Sequence, residues 1–208
     1  GRLELPRGVP GGRPLDFPTV WNALLENKNT FLVCPTSMVR ASLYRELGGY
    51  RQSLFANSAD LDMWIRIARR APIGILDDHL MSYRHFHGSS SNRYHHLRTE
   101  PSRFFAIMDH HLQNGARDVS RAQALAAFEA HRAEDQLFIA VSRYIEGDRR
   151  AARAALGKIR AGTIAASPRV QRCRLLVLLA GLRVLCRLPR IPWIAGLFYR
   201  RWHARKAA

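Results

Sequence analysis

Acidic residues are scarce in this chain. Over 208 residues there are 16 Asp+Glu against 33 Lys+Arg, a formal net charge of +17. The deficit is local: residues 1–100 hold 13 basic and 9 acidic residues (+4), and residues 101–208 hold 20 and 7 (+13). From residue 167 to the last there are ten basic residues and no acidic one. A bias this concentrated points to an anionic surface, lipid headgroups or nucleic acid, or to a solvated basic helix face. Cysteine is also sparse. Cys34, Cys173 and Cys186 are odd in number and lack metal-ligand spacing, and each sits in an apolar stretch, which predicts buried reduced thiols and a cytosolic setting. Long apolar runs are missing too. The longest uncharged stretch of the expected helix over 167–188, residues 175–182, falls far short of the ~20 residues a membrane-spanning helix needs. The first residues carry neither a start Met nor an apolar signal core, so the sequence reads as a chain entered midway.

The composition that is there belongs to a folded protein. A hydrophobic content of 47% excludes a disordered charged tail as the whole molecule, and the length suits one domain with a helical appendage. Residues 1–18 are rich in Gly, Pro and Arg and predict a loop or arm. Thr19 is the expected cap of a short helix through Trp21, Leu24 and Leu25. Residues 30–39 predict a strand interrupted at Pro35, and residues 41–47 a helix ended by Gly48-Gly49. Leu61, Trp64, Ile65 and Ala68 recur at i, i+3, i+4 and i+7, an amphipathic helix that Pro72 stops. Two short strands, residues 73–76 and 80–86, follow around Asp77-Asp78.

Beyond His95 the pattern turns helical. Helices are expected around residues 104–112, over 120–145 and over 148–159, the last two joined at Gly147-Asp148 as a hairpin similar to a tetratricopeptide unit. A basic amphipathic helix is expected over 167–188, opened by Ser167-Pro168 and broken by Pro189 and Pro192. Arg169, Arg172, Arg183 and Arg187 share one face of it, and Leu175, Leu178, Leu179, Leu182, Leu185 and Cys186 the other. Three accounts of this helix stand: packing on the 120–160 hairpin, lying on an anionic membrane, and, ranked last for want of a recognised module, binding nucleic acid.

The residues that could do chemistry fall in two groups. Asp60-Leu61-Asp62 has the form of a metal-holding D-x-D, but residues i and i+2 of a helix point in different directions and do not chelate one ion. Either Asp60 projects from the helix entrance as a general base, or Asp60 or Asp62 caps the helix and meets its positive end. Arg84, His85 and His87 form the second group, cationic and imidazole donors suited to a leaving diphosphate or a metal shell, with solvated strand-end residues as the alternative. The adjacent pairs His95-His96 and His110-His111 read as solvated.

Four stretches in order, Met38-Val39-Arg40, Leu47-Gly48-Gly49-Tyr50, Asp60-Leu61-Asp62-Met63-Trp64-Ile65-Arg66 and Leu80-Met81-Ser82-Tyr83-Arg84, resemble the acceptor side of family 2 glycosyltransferases over about residues 15–95. The resemblance implies an α/β fold, a partial GT-A-like sheet with flanking helices, followed by an all-α C-terminal extension. It divides the chain into 1–95 (acceptor-side half), 96–166 (helical extension) and 167–208 (basic helix and tail). It implies inverting transfer of a sugar from a nucleotide sugar to a hydroxyl of a carbohydrate or lipid-linked acceptor. Asp60 would be the base, and Arg84, His85 and Trp64 would contact the substrate and its diphosphate, although Trp64 also sits on the apolar side of its helix. His87 would complete the shell of a Mg²⁺ or Mn²⁺ ion. Where members of the family often carry an acid before the base, this chain has Ala59. The nucleotide site and the D-x-D would lie upstream of Gly1, so these 208 residues alone are expected to transfer little. A cytoplasmic location, peripheral at the inner membrane face, fits this reading. The rival is a non-catalytic scaffold acting through the hairpin and basic helix.

Overall fold

The computed structural model describes residues 5–6, 9–28, 31–76, 78, 80, 82, 98–166, 169–189 and 191–207. In chain order the elements are β1 (Pro14–Leu15), α1 (Phe17–Asn27), α2 (Ala41–Glu46), α3 (Gln52–Phe55), α4 (Ala59–Arg70), β2 (Ile73–Gly74), α5 (Arg103–His111), α6 (Ala122–Glu146), α7 (Arg149–Gly157), α8 (Arg169–Leu185) and α9 (Pro192–Ala207). The expected α/β sheet is therefore corrected. Among the described residues the sheet is two strands of two residues each, antiparallel, with Pro14 opposite Gly74 and Leu15 opposite Ile73. The rest is helix and turn, and an all-helical architecture describes it better. The strand expected over 30–39 is instead a tight turn, Cys34–Thr36, which begins with Pro35 near its first position. Proline has no N–H to give a ladder and a backbone angle preset for a helical turn, so it converts a β-rich run into a bend. Most of the second expected strand, 80–86, lies outside the described residues.

Two compact units divide the chain, one of residues 1–84 and 102–128, the other of 85–101 and 129–208. In the first unit α1 is capped by Asp16 rather than Thr19: the Asp16 carboxylate accepts from the Thr19 N–H at 3.0 Å. An acid one residue before the helix satisfies an orphan amide and meets the positive end of the dipole. Val20, Trp21, Leu24 and Leu25 of α1 are fully buried. At about 1.5–3 kcal/mol per side chain, this face anchors the unit. Buried Asn22 has its partners in place: its amide donates to the Pro18 and Val119 carbonyls at 2.8 and 2.9 Å, and its carbonyl accepts from the Arg121 N–H at 2.7 Å. The Trp21 indole donates to the Ser120 hydroxyl at 2.8 Å. Together these bonds fasten the 116–121 turn to α1.

Helix α4 is buried almost all round. Leu61, Ile65 and Ala68 join the cluster of α1 and α5, as expected, while Met63, Trp64 and Ile67 face a second cluster with Val39, Leu43, Tyr44 and Leu47. A helix covered on two sides needs apolar residues on two faces, which a single amphipathic stripe does not display.

Among the described residues of the second unit the regular elements are helices. Helix α6 ends at Gly147, whose φ of +91° closes the turn, and Asp148 caps α7 by accepting from the Ala151 N–H at 2.9 Å. Leu137, Ala140, Val141 and Tyr144 of α6 meet Ala152 and Leu156 of α7 and Leu175, Leu179 and Leu182 of α8. The apolar stripe of α8 thus packs internally. The expected start at Ser167-Pro168 lies outside the described residues. The helix is broken before Pro189 and Pro192 as expected, α8 ending at Leu185, but Pro192 also opens a further helix, α9, because proline at a first helical position forfeits an N–H that has no helical partner anyway. Cys186 is buried as expected, but Cys34 and Cys173 are exposed. Cys34 lies in the Pro35 turn, and the surface turn carries the thiol out with it.

Candidate functional site

The two carboxylates of Asp60-Leu61-Asp62 both fall in the first turn of α4 and have opposite surroundings. Asp62 is completely buried. One of its oxygens accepts from Arg66 Nε at 2.9 Å, the favourable acid-before-base spacing of a helix. The other oxygen meets His111 Nε2 at 3.0 Å, with Arg51 3.9 Å away. Burial by itself pushes the Asp62 carboxyl up, but the His111 hydrogen bond and the charge of Arg66 outweigh it and hold the group below the usual carboxylate range. His111, with burial as the larger influence, is pushed below the ordinary imidazole value against the pull of Asp62. The consistent assignment is an ionised Asp62 and a neutral His111 donating through Nε2–H. Arg66 then donates its two terminal nitrogens to the Leu47 and Gly49 carbonyls. Gly48 and Gly49 have φ of +74° and +70°, a backbone that turns those carbonyls toward the guanidinium. The motif Gly-Gly-Tyr followed by Asp-x-x-x-Arg is, in this molecule, a buried latch that sets where Tyr50 stands.

Asp62 therefore caps no helix end, and both of its oxygens are taken by Arg66 and His111. His111, read from sequence as solvated, is 3% exposed. It lies edge-on to the Trp21 ring, with centroids 6.2 Å apart. The Asp62–Arg66 pair was visible as an i, i+4 match, but nothing in the sequence linked it to His111, 49 residues on.

Asp60 is half-buried, and one oxygen accepts from the adjacent Leu61 N–H at 2.8 Å. It stands near Tyr50. The Tyr50 phenol is pushed well above its ordinary value, first by its hydrogen bond with Tyr44, then by burial, with the negative charge of Asp60 among the smaller causes. The Tyr44 and Tyr50 hydroxyls are 3.2 Å apart and their rings 5.8 Å. Tyr50 is 41% exposed. Tyr44 thus touches the Tyr50 phenol directly, and Asp60 and the exposed Cys34 act on it electrostatically.

Trp64 is 3% exposed, and its ring meets the Tyr50 ring edge-on at 6.3 Å. As a contact for substrate it is corrected: it is a core residue that supports Tyr50 from beneath. Its indole Nε1 is buried without a hydrogen-bond partner among the described residues. Ala59 packs in the main cluster at 3% exposed, so an acid at that position would be desolvated here. Arg84, His85 and His87, with His95 and His96, lie outside the described residues. No group of three metal-ligating side chains occurs among the described residues. Both oxygens of Asp62 are committed to Arg66 and His111, and His87, expected to complete the shell of a Mg²⁺ or Mn²⁺ ion, is among the residues outside the described part. Comparison of the chain with protein-family models, curated proteins and solved structures finds no match.

Proposed function

We propose that the surface formed by Asp60, Tyr44 and Tyr50 receives a hydroxyl-bearing acceptor, and that Asp60 is the general base of an inverting sugar transfer from a nucleotide sugar. The observation that carries the reading is the division of labour within Asp60-Leu61-Asp62. Asp62 is sealed into the latch, which leaves Asp60 as the carboxylate of the pair at a partly exposed helix entrance, where its charge acts on the Tyr50 phenol. The four ordered motifs shared with family 2 glycosyltransferases support the same assignment. In the reaction Asp60 takes the proton of the acceptor hydroxyl, the acceptor oxygen bonds to the anomeric carbon, and the bond from that carbon to the nucleoside diphosphate breaks. Inversion follows from the single displacement, which needs one carboxylate. The reading does not depend on an α/β sheet within these residues.

The test is sugar transfer by the full-length gene product, assayed with a panel of nucleotide sugars and hydroxyl acceptors. Asp60→Asn should lower kcat by about 10²–10⁴-fold, the usual worth of a general base, with an unchanged melting curve. Transfer at the wild-type rate by the Asn variant would remove Asp60 from the role.

A further inference from the structure

Helix α8 is apolar on two opposite faces, and the fold uses one of them. Leu175, Leu179 and Leu182, with Cys186 just beyond the helix, are buried in the second unit. On the far side Cys173, Val177, Ala180, Val184 and Leu188 follow one another at intervals of four, three, four and four residues, all exposed, with Val177 at 73% and Val184 at 55%. At roughly 100° per residue the four positions within the helix fall within a band of roughly 60°, and Leu188 stands in the turn just beyond it. An outward helix face in water is ordinarily charged, and here the charge is displaced to the borders: Arg174 flanks one edge of the band and Arg183 and Arg187 the other. The next helix begins the same way. Trp193 is 69% exposed at the entrance of α9 and Leu197 49% one turn later, while Ala195 is buried behind them.

We infer that the outer face of α8, with the start of α9, is a docking surface for an anionic lipid bilayer. The apolar band would enter the headgroup–acyl boundary, and the exposed Arg174 and Arg187 would reach lipid phosphates while their stems lie along the apolar edge; Arg183 instead donates to the Ile159 carbonyl at 3.1 Å. Charge identifies the occupant. The last 42 residues hold ten basic and no acidic side chains, which suits an anionic surface and opposes the same face of a second copy. Nucleic acid matches the charge but would leave the valine band against phosphate and water. An exposed tryptophan at the edge of such a face suits the interfacial zone, where an apolar ring and a polar N–H are both accommodated. No helix among the described residues is long and apolar enough to cross a membrane, so the contact is in the plane of the surface. The inference rests on the second unit and stands or falls separately from the role of Asp60.

The experiment is sedimentation of the full chain with vesicles of phosphatidylcholine containing a quarter phosphatidylglycerol, with pure phosphatidylcholine vesicles in parallel. Partitioning should be at least about tenfold stronger to the anionic vesicles and should weaken as salt is added. The double variant Val177→Asp, Val184→Asp should lose at least about tenfold, and both positions are exposed, so its helix content should match wild type. A readout that leaves the face intact uses the native thiol: in a Cys34→Ser background, a nitroxide on Cys173 should become shielded from an aqueous paramagnetic relaxant on vesicle addition. Equal binding by the double variant, equal binding to neutral vesicles, a label that stays water-accessible, or burial of the label through dimerisation or RNA binding without vesicles would each overturn the inference.

Discussion

Replacing Arg66 by methionine tests the latch beneath the candidate site. The substitution keeps the volume of the aliphatic stem and removes the charge, so it isolates electrostatics from packing. Asp62, completely buried, would keep His111 as a direct partner and lose its 2.9 Å bond to Arg66, and the Leu47 and Gly49 carbonyls would lose their donors. Removing one member of a buried ion pair costs about 3–5 kcal/mol, because the remaining charge cannot be rehydrated. The two carbonyls are only partly buried, so water replaces much of what they lose, and the expected total stays near 4 kcal/mol. For a chain of this length that is a fall in Tm of roughly 8–16 °C. Urea unfolding followed by tryptophan emission reads the unit directly, since Trp21 and Trp64 are both buried within it. The double variant Asp62→Leu, Arg66→Met removes both charges and should cost less than Arg66→Met alone, leaving mainly the unpaired His111 N–H at about 1–3 kcal/mol. A single variant that loses less than about 1 kcal/mol, or a double variant whose loss equals the sum of the singles, would refute the latch.

The neutral, buried His111 makes stability depend on pH. Its folded value is depressed, so below the unfolded imidazole value of about 6.5 the unfolded chain takes up a proton that the folded one refuses, and stability falls as pH drops through that window. His111 is faced by Asp62, Arg69 and His110, and His111→Gln, which keeps a donor toward Asp62 but does not titrate, should flatten this segment of a urea-midpoint profile. The depressed Asp62 carboxyl adds a separate loss at lower pH, beginning below the unfolded carboxylate value of about 3.9 and completed through its folded value. Gly49→Ala places a methyl in open space at φ +70°, so its cost is backbone strain alone, about 1–2 kcal/mol in the same urea assay; an unchanged midpoint would contradict the left-handed turn. In native protein a colorimetric thiol reagent should find Cys34 and Cys173 promptly and Cys186 only on unfolding, because burial both shields that thiol and pushes its ionisation up. Prompt reaction of all three would place Cys186 at the surface.

Several elements were legible from sequence because their causes are local. The end of α2 at Gly48-Gly49, the i, i+3, i+4, i+7 face of α4, the Gly147 turn and the two-sided pattern of α8 each follow from a few adjacent residues. The β-rich composition of 30–39 misled because one proline outweighed several strand formers, and α9 went unforeseen because proline can open a helix as readily as end one. At the candidate site the D-x-D pattern identified the carboxylates but not their roles.

What the sequence by itself determined is the helices α2 and α4, the Gly147 turn between α6 and α7, the concentration of positive charge after residue 167, and the apolar face by which α8 packs. Tertiary structure alone decided which carboxylate is sealed and which is accessible. That depended on His111 arriving from another helix to share Asp62 with Arg66, and on the Leu47 and Gly49 carbonyls turning toward the same guanidinium. Burial and pairing over distances of tens of residues set those outcomes, because the free energy of a buried charge depends on every group around it rather than on its neighbours in the chain.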